Sequence, residues 1–145
     1  MFRRSTSETG NMLIEFALSN SLLFLIMFGV IDFSRIFSSA CVVQGAARAG
    51  TQYGMLSPAH YNDFTGMQNA ALANAGSPSG MTAAASQFCA CGIGGSHQSC
   101  PATCSSGTPE TYIQMTVSMP YTTTFSYPGV PHVTNLSGSS VVRVQ

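Results

Sequence analysis

The stretch ETGNMLIEFALSNSLLFLIMFGVI, residues 8–31, decides how the rest of the chain is read. From Leu22 to Ile31 it holds no charge and no hydroxyl. As a helix, residues 11–31 extend about 31 Å, one hydrocarbon thickness. The segment therefore reads as a membrane-spanning helix. Arg3 and Arg4 precede it, so the positive-inside rule puts the N-terminus in the cytoplasm and the remainder outside. Glu15 conflicts with the pattern, because Met12, Leu13, Ile14, Phe16, Ala17 and Leu18 surround it. An ionisable residue at membrane depth is costly and marks function by default.

Composition narrows the function classes. The chain has 145 residues, enough for one domain, and only 7% are charged, against roughly 25% in ordinary soluble domains. Every cation is an arginine (Arg3, Arg4, Arg35, Arg48 and Arg143), and together they form no basic patch, so nucleic acid is not an expected partner. At 45% hydrophobic residues the chain does not fit disorder. His60, His97 and His132 lie far apart, and the single nearby acid, Asp63, reads as a surface contact of His60. The CGIGG run at 91–95 lacks the lysine and the strand-to-helix setting of a phosphate loop. No enzyme, cofactor or small-molecule substrate is expected.

Three readings compete for the N-terminus. A cleaved signal would use Ser38-Ser39-Ala40-Cys41, but Asp32 and Arg35 separate that site from the apolar core. A plain signal anchor leaves Glu15 as a tolerated blemish. The third reading takes the spacing of Gly10, Glu15 and Phe16 ahead of the apolar run, which resembles the processing site of type IV prepilins. There a membrane peptidase cuts after the glycine and leaves the helix in place. The resemblance implies a leader of residues 1–10, cleavage between Gly10 and Asn11, and Glu15 as fifth residue of the mature chain. Its carboxylate and the new N-terminal ammonium could then pair between neighbouring helices. Such a pair is costly when unmatched at low dielectric, so it would set helix register.

Further matches make the resemblance narrower. Phe28-Gly29-Val30-Ile31-Asp32-Phe33-Ser34-Arg35 and Gly45-Ala46-Ala47-Arg48-Ala49-Gly50-Thr51-Gln52-Tyr53-Gly54 are similar to two segments of the TadE-like family. Val142-Arg143-Val144 is a looser match near the end. The family consists of pilin-like minor subunits of the tight-adherence (Flp) pilus machinery. Ser19-Asn20-Ser21 departs from its usual apolar stretch, and Ser34 stands where glycine is usual. The resemblance implies a minor pilin or pseudopilin in the bacterial inner membrane. Its implied partners are the prepilin peptidase, other pilin-like subunits and the pilus assembly platform.

The fold expected is α+β and pilin-like: a long N-terminal transmembrane helix, then a small helix and an antiparallel sheet head stapled by disulfides. The first helix is expected from about Asn11 to Tyr53, with Asp32 and Arg35 marking the membrane boundary and Gly54 stopping it. Small residues at Ala40, Gly45, Ala46, Ala47, Ala49 and Gly50 permit close approach of another element. The head then occupies residues 55–145. Ser57-Pro58 starts a second helix that continues to Asn74-Ala75-Gly76, and Ser77-Pro78-Ser79-Gly80 ends it. Met81 to Phe88 reads as a third short helix. Ile113, Met115, Val117 and Met119 alternate with polar neighbours, which predicts a strand over about 111–125. A turn at Ser126–Pro131 leads to a second, antiparallel strand over about 133–144, and the first helix covers the pair.

Four of the five cysteines, Cys89, Cys91, Cys100 and Cys104, fall in the loop 88–104. Their spacing is atypical for zinc, even with His97 as an extra ligand. Nothing beside them tunes a thiolate for redox chemistry. Two disulfides suit an exported domain, with Cys89 and Cys91 each joined to Cys100 or Cys104. One arrangement nests Cys91–Cys100 inside Cys89–Cys104. Cys41 reads as a buried small hydrophobe, with an intersubunit disulfide as the sharper alternative. Two rivals to the pilin reading remain: an unprocessed single-pass accessory protein of a secretion or adhesion system, and an anchored periplasmic thiol-redox or metal-binding protein.

Overall fold

The structure is a computed structural model that describes residues 7–92, 95–105, 107–124 and 132–144, with side chains from Asn11 onward. Arg3, Arg4, the strand end at Phe125 and the turn at Ser126–Pro131 lie outside the described residues. The elements are helices α1 (Ser7–Gly54), α2 (Pro58–Tyr61) and α3 (Phe64–Asn74), then strands β1 (Thr82–Cys91), β2 (Pro109–Thr122) and β3 (Val133–Arg143). The chain divides into two units at Ile36/Phe37, and α1 contributes to both. The α+β, pilin-like class expected from the sequence is the class observed.

In the first unit, α1 buries almost nothing of its own. Met12, Leu13, Phe16, Leu25 and Phe33 are each 67–72% exposed. Exposed apolar side chains also occupy consecutive positions from Leu22 to Phe28, so every face of the helix is apolar. A helix apolar all round belongs in hydrocarbon or inside a bundle.

In the second unit, the last turns of α1 lie on a three-stranded antiparallel sheet of order β1-β2-β3. Ile113, Met115 and Val117 of β2 are fully buried with Val43, Ala46 and Ala47 of α1 and Met67 and Ala71 of α3. The alternation read from β2 is the pattern observed. Two glycines set how close α1 approaches. A methyl on Gly50 would stand 2.7 Å from Met115 Cε and 3.0 Å from the backbone oxygen of Met67. One on Gly54 would collide with Ile113. Along β3, a methyl on Gly138 would come within 3.0 Å of the Gln44 backbone. Polar links fasten the same contact. The Gln44 amide donates to the Ser139 carbonyl at 2.9 Å, and the Thr51 and Ser140 hydroxyls meet at 3.0 Å.

Two expectations need correction. The helix expected from Pro58 to Gly76 is broken at Asn62–Asp63 into α2 and α3. Asp63 is the N-cap of α3 and accepts from the Gly66 N–H at 2.8 Å, so its side chain favours a fresh start over continuation. At the other end of α3, Ser77 N–H bonds the Leu72 carbonyl at 2.8 Å and Gly76 N–H bonds that of Ala73 at 3.1 Å. This Schellman cap needs the left-handed residue that Gly76 supplies at φ 75°. The second correction concerns Met81–Phe88, which is not helical. Thr82–Cys91 is β1, paired along its length with β2 from Thr82↔Ser118 to Cys91↔Pro109. Alanine favours helix locally, but Ala83 and Ala85 sit opposite Val117 and Met115 and pack on the core. Strand pairing outweighs a propensity difference that is always small.

Candidate functional site

Among the residues singled out from the sequence, Gly10 and Asn11 lie within the first turns of α1, because the helix begins at Ser7 rather than Asn11. Glycine is a poor helix former, so Gly10 is a weak point in this part of α1. Glu15 and Phe16 are exposed, and Glu15 makes no salt bridge to any described residue. Ser21 and Ser34 each donate to the carbonyl three residues back, Leu18 and Ile31, at 2.8 Å. Helical serines thus satisfy themselves in an apolar surrounding. Phe24 and Phe28 stack with ring centroids 6.5 Å apart. Asp32 is only 3% exposed, whereas Arg35 is exposed.

All four loop cysteines are disulfide-bonded: Cys89 to Cys100 and Cys91 to Cys104. The bridges interleave and do not nest. Cys89 exchanges both backbone hydrogen bonds with Gln98, at 2.9 and 2.8 Å, as an antiparallel bridge on the free edge of β1. Past Gln98 the chain runs back along β1, away from Cys91, so Cys100 arrives beside Cys89. Cys91 is left for Cys104, just ahead of the start of β2. Cys41 is a free, exposed thiol and not the buried small hydrophobe expected from the sequence. Among the described residues no group of three His, Cys, Asp or Glu side chains could hold a metal ion.

Two side-chain clusters in the head were not foreseen. Phe88 and Tyr112 are register partners and stack at 5.2 Å, and His97 covers the other side of Phe88 at 3.9 Å. Arg143 is the partner of Tyr112 on β3 and bonds Glu110 at 2.9 Å, while Glu110 also accepts from the Tyr112 hydroxyl. The row Phe88–Tyr112–Arg143 crosses all three strands on the face turned away from α1. Opposite positions on adjacent strands could have shown it, had β1 been read as a strand.

The second cluster joins the end of α1 to the elbow before α3. The Tyr53 hydroxyl donates to Asp63 Oδ2 at 3.0 Å, and its ring meets His60 edge-on at 4.6 Å. Ser57 Oγ lies 2.6 Å from His60 Nδ1. The Gly66 N–H, then the Tyr53 hydroxyl, hold the Asp63 carboxyl below the usual carboxylate range. The same bond raises the Tyr53 phenol above its ordinary value. His60 and Asp63 are therefore linked through Tyr53 and the caps of two helices, rather than along one helix. The third histidine, His132, has its ring 3.0 Å from the Thr123 hydroxyl, where the backbones of these two residues also pair.

Residues 10–52 match the family model described as TadE-like protein. The matched segment holds Gly10, Glu15, the whole apolar run and the small residues that meet the sheet. No curated protein and no solved structure matches the chain.

Proposed function

Starting from a chain whose residues 10–52 are TadE-like, we propose that it is a minor pilin or pseudopilin of a tight-adherence pilus. It acts by helix packing and subunit contact, not by catalysis. One observation carries this reading: the TadE-like segment contains the stretch 22–31 of α1, which is apolar on every face and unburied by its own fold. Such a surface has to be covered by lipid first and by other helices later. The inner membrane stores the subunit with its N-terminus cytoplasmic and its head outside. A prepilin peptidase unwinds the first turns of α1 and cuts after Gly10. Glu15 then pairs with the freed ammonium of a neighbouring pilin-like helix, which fixes the stagger between them. The two disulfides and the small-residue contact of α1 with the sheet keep the head folded while the membrane helix changes its surroundings.

The test is the intact mass and N-terminal sequence of the protein taken from its native membrane. A chain beginning at Asn11, and no longer doing so in a strain lacking the peptidase, is the expected result. A chain beginning at Met1 refutes processing and leaves an unprocessed anchor. A chain beginning at Cys41 refutes the transmembrane subunit altogether.

A further inference from the structure

The polar triplet Ser19-Asn20-Ser21 interrupts the apolar run, and the register role of Glu15 does not account for it. Among the three, Ser21 is the one that makes a side-chain hydrogen bond to a described residue. Ser21 satisfies its hydroxyl on the Leu18 carbonyl at 2.8 Å. Asn20 makes no side-chain hydrogen bond to any described residue. Its carboxamide carries two N–H donors and an oxygen with two lone pairs. If residues 11–31 span the bilayer, Asn20 lies within about one residue rise of the midplane, roughly 1.5 Å. No water reaches that depth, and hydrocarbon offers neither donor nor acceptor.

We propose that Asn20 joins two copies of this chain in the membrane, each amide donating to the carbonyl oxygen of the other. The carboxamide is self-complementary, which a carboxylate or an ammonium is not. Copies inserted with the same orientation place this group at the same depth, so a second copy carries the matching partner at the required level. Leu13, Ala17, Phe24 and Met27 stand seven or fewer residues away on the same side of the helix, at spacings of seven, three, four and seven. All four are apolar, and Ala17 is small enough for the helices to approach. A single buried asparagine in such an apolar seam also fixes register and a parallel arrangement. The inference rests on the membrane reading of the helix but not on cleavage at Gly10.

The test uses the full-length chain in liposomes, with donor and acceptor dyes attached to the exposed free thiol of Cys41. Energy transfer is followed as lipid dilutes the protein, and flotation with the vesicles is measured on the same samples. Wild type is expected to show transfer above the random level. Asn20→Leu should weaken the association about tenfold, in keeping with an interhelical amide pair, and Asn20→Gln should restore most of it. Equal transfer for wild type and Asn20→Leu, with both floating, overturns the Asn20 contact alone. Wild type that floats without transfer above random overturns the second copy as partner. Failure of wild type to float overturns the membrane reading, and this inference with it.

Discussion

Two glycines five residues apart in α1 offer a direct test of how the head is packed, because the same substitution should stabilise at one and not at the other. At Gly45 an added methyl meets nothing closer than Asn74 Oδ1 at 3.8 Å. Gly45→Ala therefore gains helix propensity alone, about 1 kcal/mol. At Gly50 the methyl would stand 2.7 Å from Met115 Cε and 3.0 Å from the Met67 carbonyl oxygen. Met115 is fully buried, and the Met67 carbonyl belongs to the backbone of α3, so neither retreats freely. Overpacking of this kind costs about 1–3 kcal/mol, which cancels or exceeds the same propensity gain. The two variants should therefore differ by about 1–3 kcal/mol, or at least about 4 °C in Tm for a domain near this size. Thermal unfolding of the detergent-solubilised full chain, followed by near-ultraviolet circular dichroism, reads the difference. Equal upward shifts for both variants would refute the close approach of α1 to Met115 and α3.

Further outcomes follow from the same contacts. Met67→Ala, at a fully buried site between α1 and α3, should cost about 2–5 kcal/mol in urea unfolding, whereas Met55→Ala, on an exposed side chain, should change little. The disulfides close separations of 11 and 13 residues, so Cys100→Ser or Cys104→Ser should each cost about 3 kcal/mol. An unchanged denaturation midpoint after reduction of wild type would contradict that expectation. Asp63 has a lowered folded pKa, so its contribution is present above the unfolded value and is lost as pH falls through the folded one. Asp63→Asn should flatten the acid limb of the stability profile, and a wild-type acid limb in this variant would rule Asp63 out as its source. Tyr53 and Tyr112 have raised values, so their contribution holds below the unfolded phenol pKa and fades as pH rises through the folded one. Tyr53→Phe should accordingly reduce the alkaline loss.

The sequence alone determined whatever rests on local pattern. An uninterrupted apolar run between Leu22 and Ile31 makes a helix that no small head can bury, whatever follows it. Ile113, Met115 and Val117 alternate with polar residues, and that period admits only a half-buried strand. Four cysteines within residues 89–104 indicated disulfides, and both are present. Tertiary structure decided the features that depend on what lies opposite. Thr82–Cys91 has a helix former at several positions, yet it pairs with β2 because the edge of that strand is there to be satisfied. The disulfide pairing depends on Gln98 lying against Cys89, a contact between loop and strand that no spacing encodes. Asp63 could be seen as an acid three residues from His60, but its partner Tyr53 comes from the end of α1, ten residues back in sequence. Periodicity is a property of one segment, whereas pairing, capping across an elbow and ring stacking require two segments to meet.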